Sequence, residues 1–216
     1  MEDHKKTKAQ LIEELTAARQ ALAHLQANQN TEDSDESETL QFAQEQFEFA
    51  ETLRMANIAL HSSLNYESVL DCVLDYADSI VAHDAACLML VDRDIARIFR
   101  WHGYTGYGVH ESFATLTFNI SEIPVLSTIQ QTGHPCLIPA VEAGNTSELY
   151  IFASSWVQSH IGVPIRLRDD IIGILNLDSA TPDAFTQTDA NHLQAYADQV
   201  AVALLHYLHF HHRHHH

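Results

Sequence analysis

An α+β fold, in which helices flank an antiparallel β-sheet, is predicted for this chain by three features of its sequence. Apolar side chains recur at helical spacing near both ends of the chain. In the middle, two pairs of short apolar segments each have a charged three-residue turn between them, as in β-hairpins. At 216 residues and 46% hydrophobic content, the chain can bury a core. We therefore expect one domain with appendages.

The N-terminal segment, residues 1–29, is predicted to form a coiled-coil helix. Five apolar residues alternate in steps of four and three, which is the spacing of a coiled-coil seam. They are Leu11, Leu15, Ala18, Leu22 and Leu25. The other faces are too polar to bury, so a dimerising or linker helix is favoured over a helix that packs on its own domain. Residues 30–39 lack apolar side chains and are predicted to be an acidic linker.

Residues 40–208 are predicted to form the globular domain. A first helix carries one apolar stripe from Phe42 to Leu60, and a second follows Asn65, a good N-cap. A last helix is predicted after Thr186, with Asp189 in the position of a capping box. Residues 209–216 form a histidine-rich tail. Such a tail binds nickel or zinc whether it is a tag or natural, and we assign it no metal function.

The predicted strands fall into two hairpins with a mixed segment between them. Segments 85–91 and 95–101 form the first hairpin, and segments 160–167 and 171–177 the second. Strict alternation in the second strand places Trp101 on one face with Ile95, Arg97 and Phe99, opposite Ala96, Ile98 and Arg100. The mixed segment is predicted to contain an extended piece at 113–118, a helix at 122–132 ended by Gly133, a strand at 135–138, a loop at 140–148 and a helix at 149–158.

Charge and cysteine content exclude several classes of function. The formal net charge is −18, from 29 acidic and 11 basic residues, and such a surface repels nucleic acid and anionic membranes. No apolar run is long enough to span a bilayer, and no apolar stretch follows the charged start as in a secretory signal. The three cysteines cannot all pair and none has C-x-x-C spacing. We therefore expect a cytoplasmic protein without nucleic-acid or membrane partners.

Five segments, in the same order along the chain, are similar to motifs of the GAF family of sensory domains, over about residues 53–206. They are LNYESVL at 64–70, AACLMLVD at 85–92, GHP at 133–135, SHIGVPI at 159–165 followed by IGILNLDS at 172–179, and FTQTDA at 185–190. The resemblance implies a ligand pocket on one face of the sheet and a helical bundle on the other. A coiled coil before such a domain resembles bacterial sensor histidine kinases and related regulators, which implies a homodimer.

The resemblance places a ligand between the sheet and the segments 101–118 and 140–160. The candidate pocket residues are Trp101, Tyr104, Phe118, Trp156 and His160, with Asn176 and Asp178 near the rim. Aromatic walls with few polar groups suit a small, largely apolar ligand, whose identity is unknown. The same residues could instead fill a degenerate, empty pocket.

The chemistry of the known GAF subclasses narrows the function. Many bilin-binding members attach their chromophore through a cysteine thioether, which cannot form here because no cysteine follows Cys136. Cyclic-nucleotide binding in this family requires a lysine directly after the asparagine that Asn176 resembles, and none is present. We predict a non-catalytic sensory module that binds a small molecule and signals through dimer helices. One alternative is a redox enzyme similar to free methionine sulfoxide reductases, using Cys136. The other is a purely structural dimerisation domain.

Overall fold

The computed structural model describes residues 19–20, 38–58, 66–108, 115–141 and 156–212, without the side chains of 66–69 and 206–212. The predicted coiled coil and acidic linker lie almost entirely outside these ranges, whereas the backbone of residues 209–212, the first half of the predicted histidine tail, is described and helical. The chain divides into two units, 1–48 and 49–216, and the fold described below is that of the second. None of the helices in the described residues has the length and apolarity needed to cross a membrane.

The elements follow one another in the order helix, helix, hairpin, mixed segment, hairpin, helix. Residues 38–58 are helical and form α1. The others are α2 (Tyr66–Ile80), β1 (Ala85–Asp92), β2 (Ile95–His102), β3 (Thr117–Asn119), α3 (Pro124–Thr132), β4 (Cys136–Ile138), β5 (Ser159–Leu167), β6 (Asp170–Ser179) and α4 (Gln187–His212). The described strands form one six-stranded antiparallel sheet in the order β3-β2-β1-β6-β5-β4. The predicted α+β fold is therefore confirmed.

Each face of the sheet is covered by its own apolar cluster. On one face, α2 and α4 pack over Leu88, Val163 and Leu175, and the buried Tyr196 hydroxyl donates to the carbonyl of Val73 at 2.8 Å. On the other face, the loop after β2 and the helix α3 cover Cys87, Met89 and Ile174, among others. The sheet therefore separates a helical layer from the layer in which the sequence placed the pocket.

The predicted alternation along β2 is wrong at its C-terminal end. The register between β1 and β2 shifts between Leu88 and Met89, so that Met89 pairs with Ile98 and Leu88 with Arg100. The extra residue, Phe99, packs against the helical layer, whereas Trp101 joins Ile98 in the opposite cluster. A β-bulge reverses the facing of every later residue in its strand, and alternation alone does not reveal one.

Capping residues define the helix ends much as predicted. Asp189 Oδ2 accepts from the Thr186 backbone N–H at 2.7 Å, and the Asp189 N–H donates to Thr186 Oγ1 at 3.2 Å, which confirms the capping box. Gly133 ends α3 in the left-handed conformation with φ 66°. That helix starts two residues later than expected, because residues 120–122 form a separate 3₁₀ turn and Pro124 suits the first helical position.

Two short predicted elements differ from the structure. Of the extended piece expected at 113–118, residues 117–118 lie in the strand Thr117–Asn119, residues 115–116 are not in a strand, and residues 113–114 lie outside the described residues. The helix expected at 149–158 lies outside the described residues except at 156–158, which are not helical.

Gly162 in β5 lies where no side chain fits. A Cβ atom there would stand 2.7 Å from Ile129 Cδ1, 3.1 Å from Asn176 Oδ1 and 3.2 Å from His160 Nε2. Replacing this hydrogen by a methyl group forces α3 or the two polar side chains to move. Three side chains packed against this glycine therefore exclude any larger residue at position 162.

We expect Gly162→Ala to lower the free energy of unfolding by about 1–3 kcal/mol, the usual cost of overpacking a core. Gly106→Ala is the matched control, because a Cβ at position 106 meets no atom within 4 Å. Urea denaturation followed by circular dichroism measures both. A Gly162→Ala protein as stable as the Gly106→Ala protein would contradict the tight contact between β5 and α3.

Candidate functional site

Three polar side chains meet in the buried layer beneath the loop after β2. Asp178 in β6 pairs in register with His160 in β5, and Tyr104 reaches Asp178 from a 3₁₀ turn. The Tyr104 hydroxyl donates to Asp178 Oδ2 at 2.6 Å, and His160 Nδ1 lies 2.7 Å from Asp178 Oδ1. All three side chains have zero exposure. We call these residues the Asp178 cluster.

The two contacts make burial of the carboxylate possible. An isolated carboxylate in an apolar layer is strongly disfavoured, whereas short hydrogen bonds to charged groups are among the strongest in proteins. A carboxylate can only accept, so the His160 ring carries its proton on Nδ1, toward Asp178. Burial and the neighbouring Asp178 charge raise the pKa of Tyr104 well above its usual value, which keeps its hydroxyl a donor.

The turn that delivers Tyr104 depends on one glycine. Gly103 has φ 81°, and a Cβ there would lie 2.2 Å from the backbone oxygen of Asp84 and 2.7 Å from Ala85 Cα. Only glycine combines this left-handed backbone with so close an approach to the start of β1. The chain therefore turns sharply at the end of β2 and places the Tyr104 ring against the sheet.

An aromatic layer adjoins the Asp178 cluster. Trp156 stacks on Tyr107 with ring centroids 3.8 Å apart and an interplanar angle of 9°, and it meets Tyr104 edge-on at 6.0 Å. Trp101 lies 6.4 Å from Tyr104. The sequence prediction missed Tyr107. The sequence does show an aromatic residue between two closely spaced glycines at this position. That pattern indicates a loop but does not reveal which ring Tyr107 stacks on, because the stacking depends on how the loop folds.

The structure brings together most, but not all, of the predicted pocket residues. Trp101, Tyr104, Trp156, His160, Asn176 and Asp178 lie within one region of the sheet face. Phe118 packs against the same apolar cluster from β3, three strands away from β6 in the sheet, beside Ala96 at the opposite end of β2. It is therefore not part of the group. Asn176 and Asp178 were expected near a rim, but both are fully buried because their strand is central.

Two buried polar atoms beside the Asp178 cluster have no hydrogen-bond partner among the described residues. They are Asn176 Oδ1, an acceptor, and Trp156 Nε1, a donor. Asn176 uses its Nδ2 for a long contact of 3.8 Å to Cys87 Sγ. Buried polar atoms in folded proteins are nearly always paired, so each unpaired atom requires an explanation.

None of the three cysteines forms a disulfide bond, and they are far apart. Cys87, Asn176, Gly162 and Cys136 are register partners in one row across β1, β6, β5 and β4. At about 4.8 Å per strand, the Cα atoms of Cys87 and Cys136 are about 14 Å apart, twice the disulfide limit of about 7 Å. Cys72 lies on α2, at the other face. Burial raises the pKa of the Cys87 and Cys72 thiols, which disfavours the reactive thiolate.

Metal ligation finds no support in this region. Within the described ranges, no three histidine, cysteine, aspartate or glutamate side chains come close enough to hold a metal ion. The arrangement instead offers one buried carboxylate, one imidazole, aromatic rings and two unpaired polar atoms. These groups suit recognition of a small molecule by hydrogen bonds and stacking.

We expect Tyr104→Phe to lower the free energy of unfolding at neutral pH by about 1.5–3 kcal/mol, because Asp178 loses a buried hydrogen bond to a charged group. Tyr107→Phe is the control, since the Tyr107 hydroxyl is hydrogen-bonded to the exposed Asp84, where water can replace it, and the ring can stay on Trp156. Urea denaturation measures both. Equal losses in the two variants would contradict the role assigned to the Tyr104 hydroxyl.

The same variant tests the pKa shift. The pKa of Tyr104 is raised in the folded state, whereas a tyrosine in the unfolded chain has a pKa of about 10. The stability that the protonated Tyr104 hydroxyl contributes is therefore complete below about pH 10 and is lost as the pH rises further. Between about pH 10 and 11, the wild-type free energy of unfolding should therefore fall more steeply than that of Tyr104→Phe, by up to about 1.4 kcal/mol per pH unit. Identical slopes would show that Tyr104 ionises normally.

Comparison with known proteins supplies the family. A search of curated proteins found no significant match. The GAF domain of a phosphoenolpyruvate-protein phosphotransferase from Acinetobacter has TM-score 0.59 at 18% identity, over 73% of this chain and 92% of that one. The free methionine-R-sulfoxide reductase of Neisseria meningitidis, solved with its substrate, has a TM-score of 0.59 at 19% identity. The match covers 72% of this chain and 87% of that one. The GAF domain of a phosphoenolpyruvate-protein phosphotransferase from Coxiella burnetii has a TM-score of 0.60 at 15% identity. The match covers 74% of this chain and 94% of that one.

At these identities the structural matches establish the fold alone, and they include both GAF domains of phosphotransferases and a methionine sulfoxide reductase. The GAF domain family model matches residues 65–204, which is more than half of the chain and contains the whole Asp178 cluster. Since the sheet order, the two covered faces and the family model agree, the chain belongs to the GAF domain family.

Proposed function

We propose that the chain is a non-catalytic sensory module that binds a small molecule at the Asp178 cluster. The observation that carries the proposal is the pair of unpaired buried atoms, Asn176 Oδ1 and Trp156 Nε1, beside a fully satisfied buried carboxylate. A ligand with one donor and one acceptor would satisfy both atoms, and the rings of Trp156 and Tyr104 would cover its apolar part. The ligand class is a small, mostly apolar molecule with a few polar groups.

Occupancy would reach the helical layer through β5. His160 faces the Asp178 cluster, whereas Ile161, Val163 and Ile165 of the same strand pack in the opposite cluster beneath α4. Gln194 of α4 also donates to the carbonyl of Pro164 at 3.0 Å. A shift of β5 caused by ligand binding would therefore move side chains that touch α4, which is a physical route for a signal.

The output would be the geometry of helices in a homodimer. Phe49 of α1 stacks on His192 of α4 with ring centroids 3.8 Å apart, which links the two terminal helices within one chain. Closer to the N-terminus of α1, the side chains of Phe42 and Phe47 are 63% and 68% exposed. Exposed aromatic residues on a helix favour association with a second copy. A cytoplasmic location and the absence of nucleic-acid or membrane partners are part of the same proposal, supported by the acidic charge.

The geometry of the thiols supports the absence of catalysis. A reductase that uses a nucleophilic and a resolving cysteine needs two thiols that can meet. The separation of about 14 Å between Cys87 and Cys136, across three strand spacings, keeps these two apart unless the sheet rearranges.

A redox enzyme is the second candidate because one specific observation favours it. Cys136 is half-buried on the same sheet face as the Asp178 cluster, in one row with Asn176. Structural neighbours with this fold include free methionine-R-sulfoxide reductases solved with substrate. A purely structural domain with an empty pocket is the third candidate.

Native mass spectrometry of the full chain, purified without denaturation from its source, tests the sensory function. We expect a dimer with a retained small molecule, which is lost in Trp156→Phe because that variant keeps a ring on Tyr107 but removes the indole N–H. Gln158→Ala, an exposed neighbour, is the control and should retain the molecule. A wild-type protein without any bound molecule would favour the structural domain, and a monomer would contradict signalling through dimer helices.

A reductase assay separates the enzyme from the sensor. We expect no reduction of free methionine R-sulfoxide with dithiothreitol above background, either in the wild type or in Cys136→Ser. Cys72→Ser, on the other face of the sheet, is the matched control. Turnover that Cys136→Ser abolishes and Cys72→Ser preserves would establish the enzyme and overturn the non-catalytic proposal.

A further inference from the structure

The tips of the two hairpins lie side by side, at the end of the sheet away from the Asp178 cluster. Ala85 pairs with Asp178, and five residues later Leu90 pairs with Gly173. At about 3.4 Å per residue, the tips lie at least about 17 Å from that cluster along the strands. Each tip carries an arginine, Arg93 after β1 and Arg168 after β5.

A cavity of about 770 Å³ opens between these tips, the end of α3 and the strand β5. This volume lies in the range of small-molecule sites. Its charged lining consists of Arg93, Arg166 and Arg168 together with Asp92, Asp169 and Asp170. The walls are tied to one another, because Gln130 of α3 donates to the Arg93 carbonyl at 2.9 Å and Arg166 donates to the Gly133 carbonyl at 3.0 Å.

The concentration of arginine here is unusual for so acidic a chain. Between residues 55 and 212 the sequence has no lysine and five arginines, which are Arg93, Arg97, Arg100, Arg166 and Arg168. Three of the five line this one cavity. Of the three, Arg166 reaches Asp198 at 3.4 Å, outside the lining. In the described part of the chain, neither Arg93 nor Arg168 forms an ion pair.

The aspartates of the lining are equally without ionic partners. Within the described ranges, Asp92, Asp169 and Asp170 form no salt bridge, although arginines line the same cavity. Opposite charges therefore face one space without neutralising each other. A ligand that carries both signs of charge would pair with both sets.

The backbone at both arginines is also unfavourable for the residue type. Arg93 has φ 55° and Arg168 has φ 58°, in the left-handed region. Tight hairpin turns place asparagine or glycine there, because a longer side chain costs free energy in that conformation. Turn formation alone does not account for an arginine at either tip, whereas a charge requirement at the cavity accounts for both.

We infer that this cavity is a second ligand site, which takes a zwitterionic small molecule with an acidic group and an ammonium group. The guanidinium groups of Arg93, Arg166 and Arg168 would hold the acidic group in bidentate fashion. The carboxylates of Asp92, Asp169 and Asp170 would hold the ammonium. A plain anion suits the cavity less well, because three carboxylates and the C-terminal end of α3 face the same space. The inference is independent of the function proposed above.

Titration of the full chain with L-glutamate and with glutarate, followed by NMR of the backbone amides, tests the inference. The two probes share both carboxylates and differ in the ammonium group. We expect glutamate to shift the amide signals of Arg93, Arg168 and Asp169, and to bind more tightly than glutarate. Absence of shifts with glutamate, or equal affinity of the two probes, would overturn the zwitterion site.

Charge variants give the sharper result because their effects have opposite signs. Arg168→Gln should weaken both probes by about tenfold. Asp169→Asn should weaken glutamate but tighten glutarate, because it removes an ammonium partner and a repulsive charge at once. Arg97→Gln removes the same charge from an exposed position on β2 outside the lining, and should leave both affinities unchanged within about twofold. Equal effects of Arg97→Gln and Arg168→Gln would reduce the site to general surface charge and overturn the proposal.

Discussion

Burial of the Asp178 carboxylate is the constraint on which the arrangement of this domain depends. A charged group without water must receive hydrogen bonds from the protein, and here they come from Tyr104 and His160. The first donor requires the sharp turn at Gly103, and the second requires the register between β5 and β6. The loop over the sheet and the β5–β6 pairing are therefore both held by hydrogen bonds to the two carboxylate oxygens of Asp178.

The Asp178 cluster lies one strand away from the helical layer, which would connect the proposed ligand site to the terminal helices. β5 presents His160 to one layer and Ile161, Val163 and Ile165 to the other. Its neighbour α4 packs directly on this strand. Because close-packed layers transmit displacement rather than absorb it, a change at the polar layer has a short path to the terminal helices.

Charged side chains are buried at one end of the sheet and exposed at the other. At the Asp178 end, the charge is fully buried and stabilised by short hydrogen bonds. At the hairpin tips, six charged side chains line an open cavity, and within the described residues Arg166 is the one among them that forms an ion pair. Charges exposed to water need no partner, so the tips can hold charge ready for a ligand.

Local patterns in the sequence determined the elements and many of their ends. The two hairpins, the capping box of Thr186 and Asp189 and the stop at Gly133 all follow from neighbours a few residues apart. Only the tertiary structure decided which way Trp101 faces, since a bulge in β2 reverses the alternation. It alone separated Phe118 from the predicted pocket and stacked Tyr107 on Trp156. The burial of Asp178 likewise depended on donors 18 and 74 residues away, because hydrogen bonds between distant segments leave no periodic trace in a sequence.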